Sequence, residues 1–295
     1  VQAINAVESL DARWGNGPAH TGASASMHRN FLLVLTKPFD VAGIGIFNVQ
    51  FSDGSPSAGY VYLRSLRRTR RTASGKSWVD PQPQADLLND DSGGLQGYPA
   101  WYKSWKVLGT KYVLVAVTQP DVNYRDQGPV NGAFIDLAHA PHWNMINTEY
   151  QPRKVYVIQG IPPDYHPYGK KVLYMDTQYP FFYYGEFYDK NMKLWKLWYT
   201  PFAPYWNGDC KGQPGLENFA TYAVDFKAKR MTYIKQVFNA HNCDVLDGMQ
   251  PTVLKRAASG SLLKKFNKMQ EHYLSKPPLP QYAEIEKAWV AKHQK

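Results

Sequence analysis

The sequence predicts a mainly β protein, built as one curved antiparallel sheet or partial barrel, and three observations carry that reading. Twenty-one Tyr, twenty-one Pro and twenty-two Gly in 295 residues, with aromatics at 15%, favour strands and turns over helical bundles. About eleven strand-like runs are separated by turn residues. The segment 181–199, FFYYGEFYDKNMKLWKLWY, reads as a β-hairpin with apolar side chains on both faces. A chain of this length holds one large β-rich domain or two smaller ones.

Taken in order, residues 1–14 place Ile4, Val7, Leu10 and Trp14 at helical spacing, which predicts an amphipathic helix ended by the glycine-containing stretch 15–22. Strands are expected at 31–36, 44–51, 59–66 and 111–118 as a first group. Residues 80–99 read as a polar loop holding Asp90, Asp91, Gly93 and Gly94, and 120–151 as a long irregular stretch. A second group comprises 154–159, 171–176, the aromatic hairpin, and the runs 219–226 and 230–238 joined by a turn at Lys227, Ala228 and Lys229. Beyond residue 258 the character changes. Leu262, Leu263, Phe266, Met269, Tyr273 and Leu274 recur at helical spacing among Lys264, Lys265 and Lys268, and a second short helix is expected at 282–292. The organisation predicted is a β-rich domain over 1–258 and a helical C-terminal extension over 259–295.

A half-solvated antiparallel strand alternates apolar with polar residues, and the 181–199 hairpin does not. A tight turn at Asp189, Lys190 and Asn191 would set Phe187 near Leu194, Tyr183 near Trp198 and Phe182 near Tyr199. Tyr183 and Phe187 would share one face, with Phe182, Tyr184 and Tyr188 on the other. Both faces then need apolar cover: core on one, and helices, a partner or a hydrophobic ligand on the other. Tyr183, Phe187, Leu194 and Trp198 form the expected ligand-binding set, a cross-strand group of aromatic and aliphatic side chains.

The formal net charge of +10 suits anionic partners. Arg64, Arg68 and Arg70 fall on one face of a strand and Arg67 and Arg71 on the other. They either pair with Asp80, Asp86, Asp90 and Asp91 or bind an anionic group. No nucleic-acid-binding module accompanies them, so nucleic acid is not an expected partner. The sequence holds no nucleophile elbow, phosphate loop or dinucleotide fingerprint, and Glu186 is a lone carboxylate, so neither an enzyme nor a cofactor is expected. His139 and His142 have ligand spacing, but Ala140-Pro141 between them opposes a helix and no third ligand is evident, so no metal is expected. His166, between prolines, reads as a turn residue. No run approaches the roughly 18 apolar residues of a membrane span, and the start at Val1 reads as a processed or truncated terminus. Cys210 and Cys243 flank the 219–238 hairpin almost symmetrically, which predicts a disulfide and an oxidising compartment; two free thiols are the alternative.

Several segments together carry a resemblance: Lys37-Pro38-Phe39-Asp40-Val41-Ala42-Gly43, YVYLRSLRRTRR at 60–71, PAWYKSW at 99–105, the aromatic hairpin, and DGMQPTVLK at 247–255. In order and spacing they resemble an uncharacterised family of Gram-negative envelope proteins related to the lipoprotein-sorting proteins LolA and LolB, over residues 31–256. The resemblance implies a LolB-like half-barrel sheet wrapped around helices, an apolar cavity and a periplasmic location. It also implies an envelope transporter, of the resistance-nodulation-division type among others, or an outer-membrane protein as partner. No catalytic residues carry over, and without an amino-terminal cysteine a lipid anchor is not supported. The expected function is a non-enzymatic periplasmic carrier or binding subunit for a lipid or hydrocarbon-like molecule, with peripheral membrane contact through the basic C-terminal segment. The alternative is a structural adaptor with a packed, ligand-free core.

Overall fold

A computed structural model of the chain describes residues 2–9, 27–37, 39–51, 53–63, 66–72, 76–82, 85–118, 149–179, 181–207, 213–218 and 220–235. Among them are fourteen antiparallel strands and three short 3-10 turns, with no α-helix. The strands fall into two compact units. The first is Val1–Ser77 with Gly208–Gly212 and His241–Lys295; the second is Trp78–Asn207 with Gln213–Ala240.

In the first unit, β1 (Gln2–Ser9), β2 (Met27–Lys37), β3 (Gly45–Phe51), β4 (Ala58–Leu63) and β5 (Arg68–Arg71) form a five-stranded meander in chain order. Its buried face follows the period-2 alternation: Leu32 lies opposite Phe47, Val49 opposite Ala58, and all four are buried. The amphipathic helix expected over 1–14 is overturned, because Gln2–Ser9 is a strand paired with β2 from Gln2↔Lys37 to Ser9↔Arg29. A helix this short is marginal in water. Alignment with β2 gives its backbone groups partners along the whole segment, and tertiary pairing overrides the helical spacing of Ile4 and Val7.

The second unit is a seven-stranded sheet. In spatial order it holds β6 (Ser104–Thr118), β7 (Glu149–Ile161), β8 (Lys170–Asp176), β9 (Phe182–Tyr188), β10 (Leu194–Tyr199), β13 (Ala220–Asp225) and β14 (Arg230–Lys235). Strands β11 (Phe202–Asn207) and β12 (Gln213–Asn218) form a separate ribbon. Residues 111–118, read as part of the first strand group, belong to this sheet: β6 pairs with β7 along nearly its whole length. Within the described residues 220–235 the expected hairpin forms, pairing Ala220–Asp225 with Arg230–Lys235, and Asp225 Oδ1 accepts from the amides of Lys227 and Ala228 at 2.9 and 2.8 Å to set its turn. The fold is thus mainly β and antiparallel, but divided into two sheets and a ribbon where one sheet was expected, and the wrapping helices do not occur among the described residues. Cys210, Cys243, His139, His142, Arg64, the segment 262–274 and the boundary at 258 lie outside the described residues.

Candidate functional site

The aromatic hairpin β9–β10 sits in the middle of the seven-stranded sheet, with both of its edges paired, β9 to β8 and β10 to β13. Its turn is wider than three residues. Asp189 closes it by accepting from the amides of Asn191 and Lys193 on Oδ1, at 2.9 and 3.0 Å, while Met192 takes φ 60°. An irregularity between Leu194 and Lys196 then sets the register as Lys196↔Phe187, Trp198↔Gly185 and Tyr199↔Tyr184, which replaces the expected pairs. A second irregularity, at Tyr174 and Met175 opposite β9, shifts Tyr183 out of step. Phe182 therefore packs with the Phe187 and Trp198 cluster, while Tyr183 packs with Val172 and Tyr174, the reverse of the face assignment read from alternation. Of the four expected ligand-binding residues, Phe187 and Trp198 share one fully buried cluster, Tyr183 is buried in the other, and Leu194 is 40% exposed.

The Phe187 and Trp198 face is closed by the protein's own chain. Leu87, Leu88, Ala85 and Leu95 pack onto it, and Gly94, at φ 84°, brings backbone so close that a Cβ there would lie 3.2 Å from the Trp198 ring. Trp105 lies over Gly160 of β7 in the same way; a Cβ on that glycine would stand 2.4 Å from the indole. Beneath this cover lies a buried ionic cluster. Lys171 Nζ is 2.5 Å from Asp90 Oδ2 and 3.1 Å from Asp91 Oδ1, and it also donates to the Asp90 carbonyl at 3.0 Å. Tyr102 donates to Asp90 at 2.5 Å and Tyr168 to Asp91 at 2.7 Å. The His166 Nδ1 accepts from the Tyr168 amide at 3.0 Å, which leaves the proton on Nε2, 3.3 Å from Asp90. Lys171 stands where a cation between the two carboxylates would stand. The cluster fastens the 85–105 segment to β8 and has no opening to solvent: Asp90, Asp91, His166 and Lys171 are all fully buried.

Burial pushes the His166 imidazole below its ordinary 6.5, despite the opposing pull of Asp90. Burial alone would raise the Asp90 carboxyl, but Lys171 and His166 outweigh it and hold it below 3.8. Both shifts act in one direction. The unfolded chain takes up each proton before the folded chain does, so stability rises with pH across each window. The His166 contribution is lost as pH falls below 6.5, and the Asp90 contribution as pH falls below 3.8 through the folded value. The thermal midpoint is expected to fall between pH 7 and pH 5, and His166→Gln to flatten that first decline. A midpoint unchanged over this range in the parent protein would count against the cluster.

The opposite face carries a different construction. Tyr174 of β8, Tyr184 of β9, Tyr199 of β10, Tyr222 of β13 and Tyr233 of β14 are direct cross-strand partners, forming one row over five adjacent strands. Neighbouring ring centroids stand 6.2, 6.3, 4.6 and 5.0 Å apart along the row. Val115, Val155, Val172 and Tyr183 continue the face toward β6. The sheet curls toward this side. Tyr184 on β9 donates to the Leu114 carbonyl on β6, three strands away. In a flat sheet that separation is about 14 Å, beyond the reach of a tyrosine. Burial raises the hydroxyls of Tyr184, Tyr188 and Tyr233 to about 12 and those of Tyr174, Tyr199 and Tyr222 further, so the row is neutral at physiological pH. The buried hydroxyls of Tyr222 and Tyr233 face each other, and neither completes a well-formed hydrogen bond. One end of the face is polar: Glu186 accepts from Tyr174 and Tyr188, while Lys111 and Lys170 lie 4.4 and 3.8 Å from the Tyr174 and Tyr188 ring centres.

The sequence reading missed both constructions. Asp90 and Asp91 were assigned to a polar loop and His166 to a turn. The available signal was a lysine beside a run of apolar residues in each of two strands, Lys171 in KKVLYMD and Lys196 in LWKLWY. The tyrosine row had no signal in the one-dimensional pattern, since it depends on register between strands far apart in the chain. Arg68 and Arg70 are exposed on the edge strand β5. Their expected pairing with acids of the 80–91 stretch is overturned for three of those acids, which are engaged inside their own unit. Asp86 binds Arg230 in a bidentate pair at 2.5 and 2.8 Å, and Asp90 and Asp91 hold Lys171.

Residues 3–258 match the family described as a protein of unknown function, DUF1329. No curated protein is similar enough in sequence to count as a match. Among solved structures, a domain from Vibrio parahaemolyticus described as an outer membrane lipoprotein-sorting protein is similar at TM-score 0.53 and 16% identity, over 80% of each chain. A DUF1329 family protein from Desulfovibrio piger is similar at TM-score 0.52 and 15% identity, again over 80% of each chain. At these identities the likeness is one of fold.

Proposed function

The chain belongs to the DUF1329 family, and from that premise and the tyrosine-lined face we propose a non-enzymatic periplasmic carrier or binding protein for a lipid or other hydrophobic molecule. The observation that carries this reading is the neutral row of five tyrosines, continued by valines, on the side toward which the seven-stranded sheet curls. Such a surface binds by removing apolar area from water, worth about 25 cal/mol per Å² before ordering costs. Similarity of fold to a lipoprotein-sorting domain supports the same chemistry and an envelope location. An envelope transporter or outer-membrane protein is the partner such a carrier would need for loading or delivery. The ligand seat moves from the Phe187 and Trp198 face, which the protein's own 85–105 segment occupies, to the tyrosine face. One observation favours the adaptor reading: Tyr199 and Tyr222 stack on each other at 4.6 Å and 4°, filling part of the face with protein.

The test is native mass spectrometry of the full chain after lipid extraction, together with titration by the environment-sensitive probe N-phenylnaphthylamine. Tyr199→Asp places a charge in the row and is expected to weaken probe binding at least about tenfold, the equivalent of about 1.4 kcal/mol. Leu194→Asp, outside both clusters, is expected to bind as the parent does. Equal binding by a folded Tyr199→Asp protein, or no saturable binding by the parent, would favour the adaptor.

A further inference from the structure

We propose that the turn end of the five-stranded sheet is a docking surface for an anionic lipid bilayer. The pairing Gly45↔Tyr62 puts the β2–β3 turn and the β4–β5 turn at the same end of the meander. Each turn carries a large apolar residue toward solvent: Phe39 is 86% exposed and Leu66 46%. Gly43, at φ 88°, and Arg67, at φ 49°, hold the two turns in the left-handed backbone region. Directly behind the tips runs β5, where Arg68, Arg70 and Arg71 are exposed together with Arg67 in the turn. No described carboxylate forms an ion pair with any of these four, and the one described acid in the two turns is Asp40.

Depth follows from strand geometry. Residues 68–71 span roughly 10 Å at about 3.3 Å per residue, matching the 5–10 Å over which an interfacial element crosses from acyl boundary to headgroups. With the tips of Phe39 and Leu66 at the acyl boundary, the arginines lie at the level of lipid phosphates, which guanidinium groups bind in a fork geometry. Basic residues on an edge strand also discourage edge-to-edge pairing. That role accounts for the arginines, but it gives no reason for two exposed apolar tips at the same end. Charge and apolar exposure together fit a membrane surface.

The experiment is co-sedimentation of the full chain with vesicles of phosphatidylethanolamine and phosphatidylglycerol, against vesicles of phosphatidylcholine. The parent protein is expected to bind the anionic vesicles selectively and to release as salt rises, since exposed charges are screened over about 10 Å at 0.1 M. Arg68→Gln/Arg70→Gln is expected to weaken that binding on the order of 20-fold, and Phe39→Ser/Leu66→Ser at least about tenfold. All four side chains are at the surface, so the thermal midpoint should stay unchanged. Both variants should also bind N-phenylnaphthylamine normally, which separates this surface from the tyrosine face. Equal binding to both vesicle types, no binding, or parental binding by either folded variant overturns the proposal.

Discussion

Lys171→Met is expected to lower the unfolding free energy by about 3–5 kcal/mol, the range seen when one partner of a buried ion pair is removed. Lys171 Nζ lies between the carboxylates of Asp90 and Asp91, and all three side chains are inaccessible to solvent. Without the ammonium, two carboxylates face each other in the interior with the Tyr102 and Tyr168 hydroxyls, His166 and the amides of Leu88 and Gly97 as their remaining donors. Their charged forms are then penalised by desolvation and mutual repulsion, so both take up protons more readily. The loss should therefore be largest at neutral pH and smaller on acidification, opposite to the parent protein. Urea unfolding at pH 7 and pH 5 measures this. Adding Asp90→Asn and Asp91→Asn is expected to recover part of the loss, because apolar or neutral replacement of a whole buried ionic group is often close to neutral in energy. A single-variant loss below about 1 kcal/mol would place the cluster with surface pairs in effect, despite its burial.

Phe187 provides the second large effect. Its ring is fully buried, stacks on Tyr168 at 5.2 Å and lies under the Lys171 ammonium at 4.4 Å. Phe187→Ala is expected to cost about 3–5 kcal/mol through lost burial and the cavity left behind. Phe187→Asp would add an unpaired carboxylate to the same site and is expected to abolish cooperative unfolding, as read by tryptophan fluorescence against urea. Tyr199→Asp, on the half-buried opposite face, should retain a cooperative transition. If Phe187→Asp folded like the parent and lost only ligand binding, the Phe187 side would be a binding surface after all.

By itself, the sequence determined the class of structure and most of the strands. Period-2 alternation, turn residues and aromatic content are local properties, and they located β2, β3, β8, β9, β10, β13 and β14 to within a few residues. The need for apolar cover on both hairpin faces was also legible, because it follows from side-chain composition alone. Tertiary structure decided what the cover is. The five-residue turn at 189–193 and the irregularities at Leu194 and Tyr174 changed the register, and side-chain facing in a sheet inverts with each single-residue slip. Residues 2–9 joined a sheet because β2 supplied their backbone partners, something no local window contains. Asp90, Asp91, His166 and Lys171 meet across separations of 75 to 81 positions in the chain (Asp91 to His166, and Asp90 to Lys171), so their attraction exists only once the sheet has formed. The tyrosine row is the same kind of feature: five residues of unremarkable spacing become one surface when five strands align.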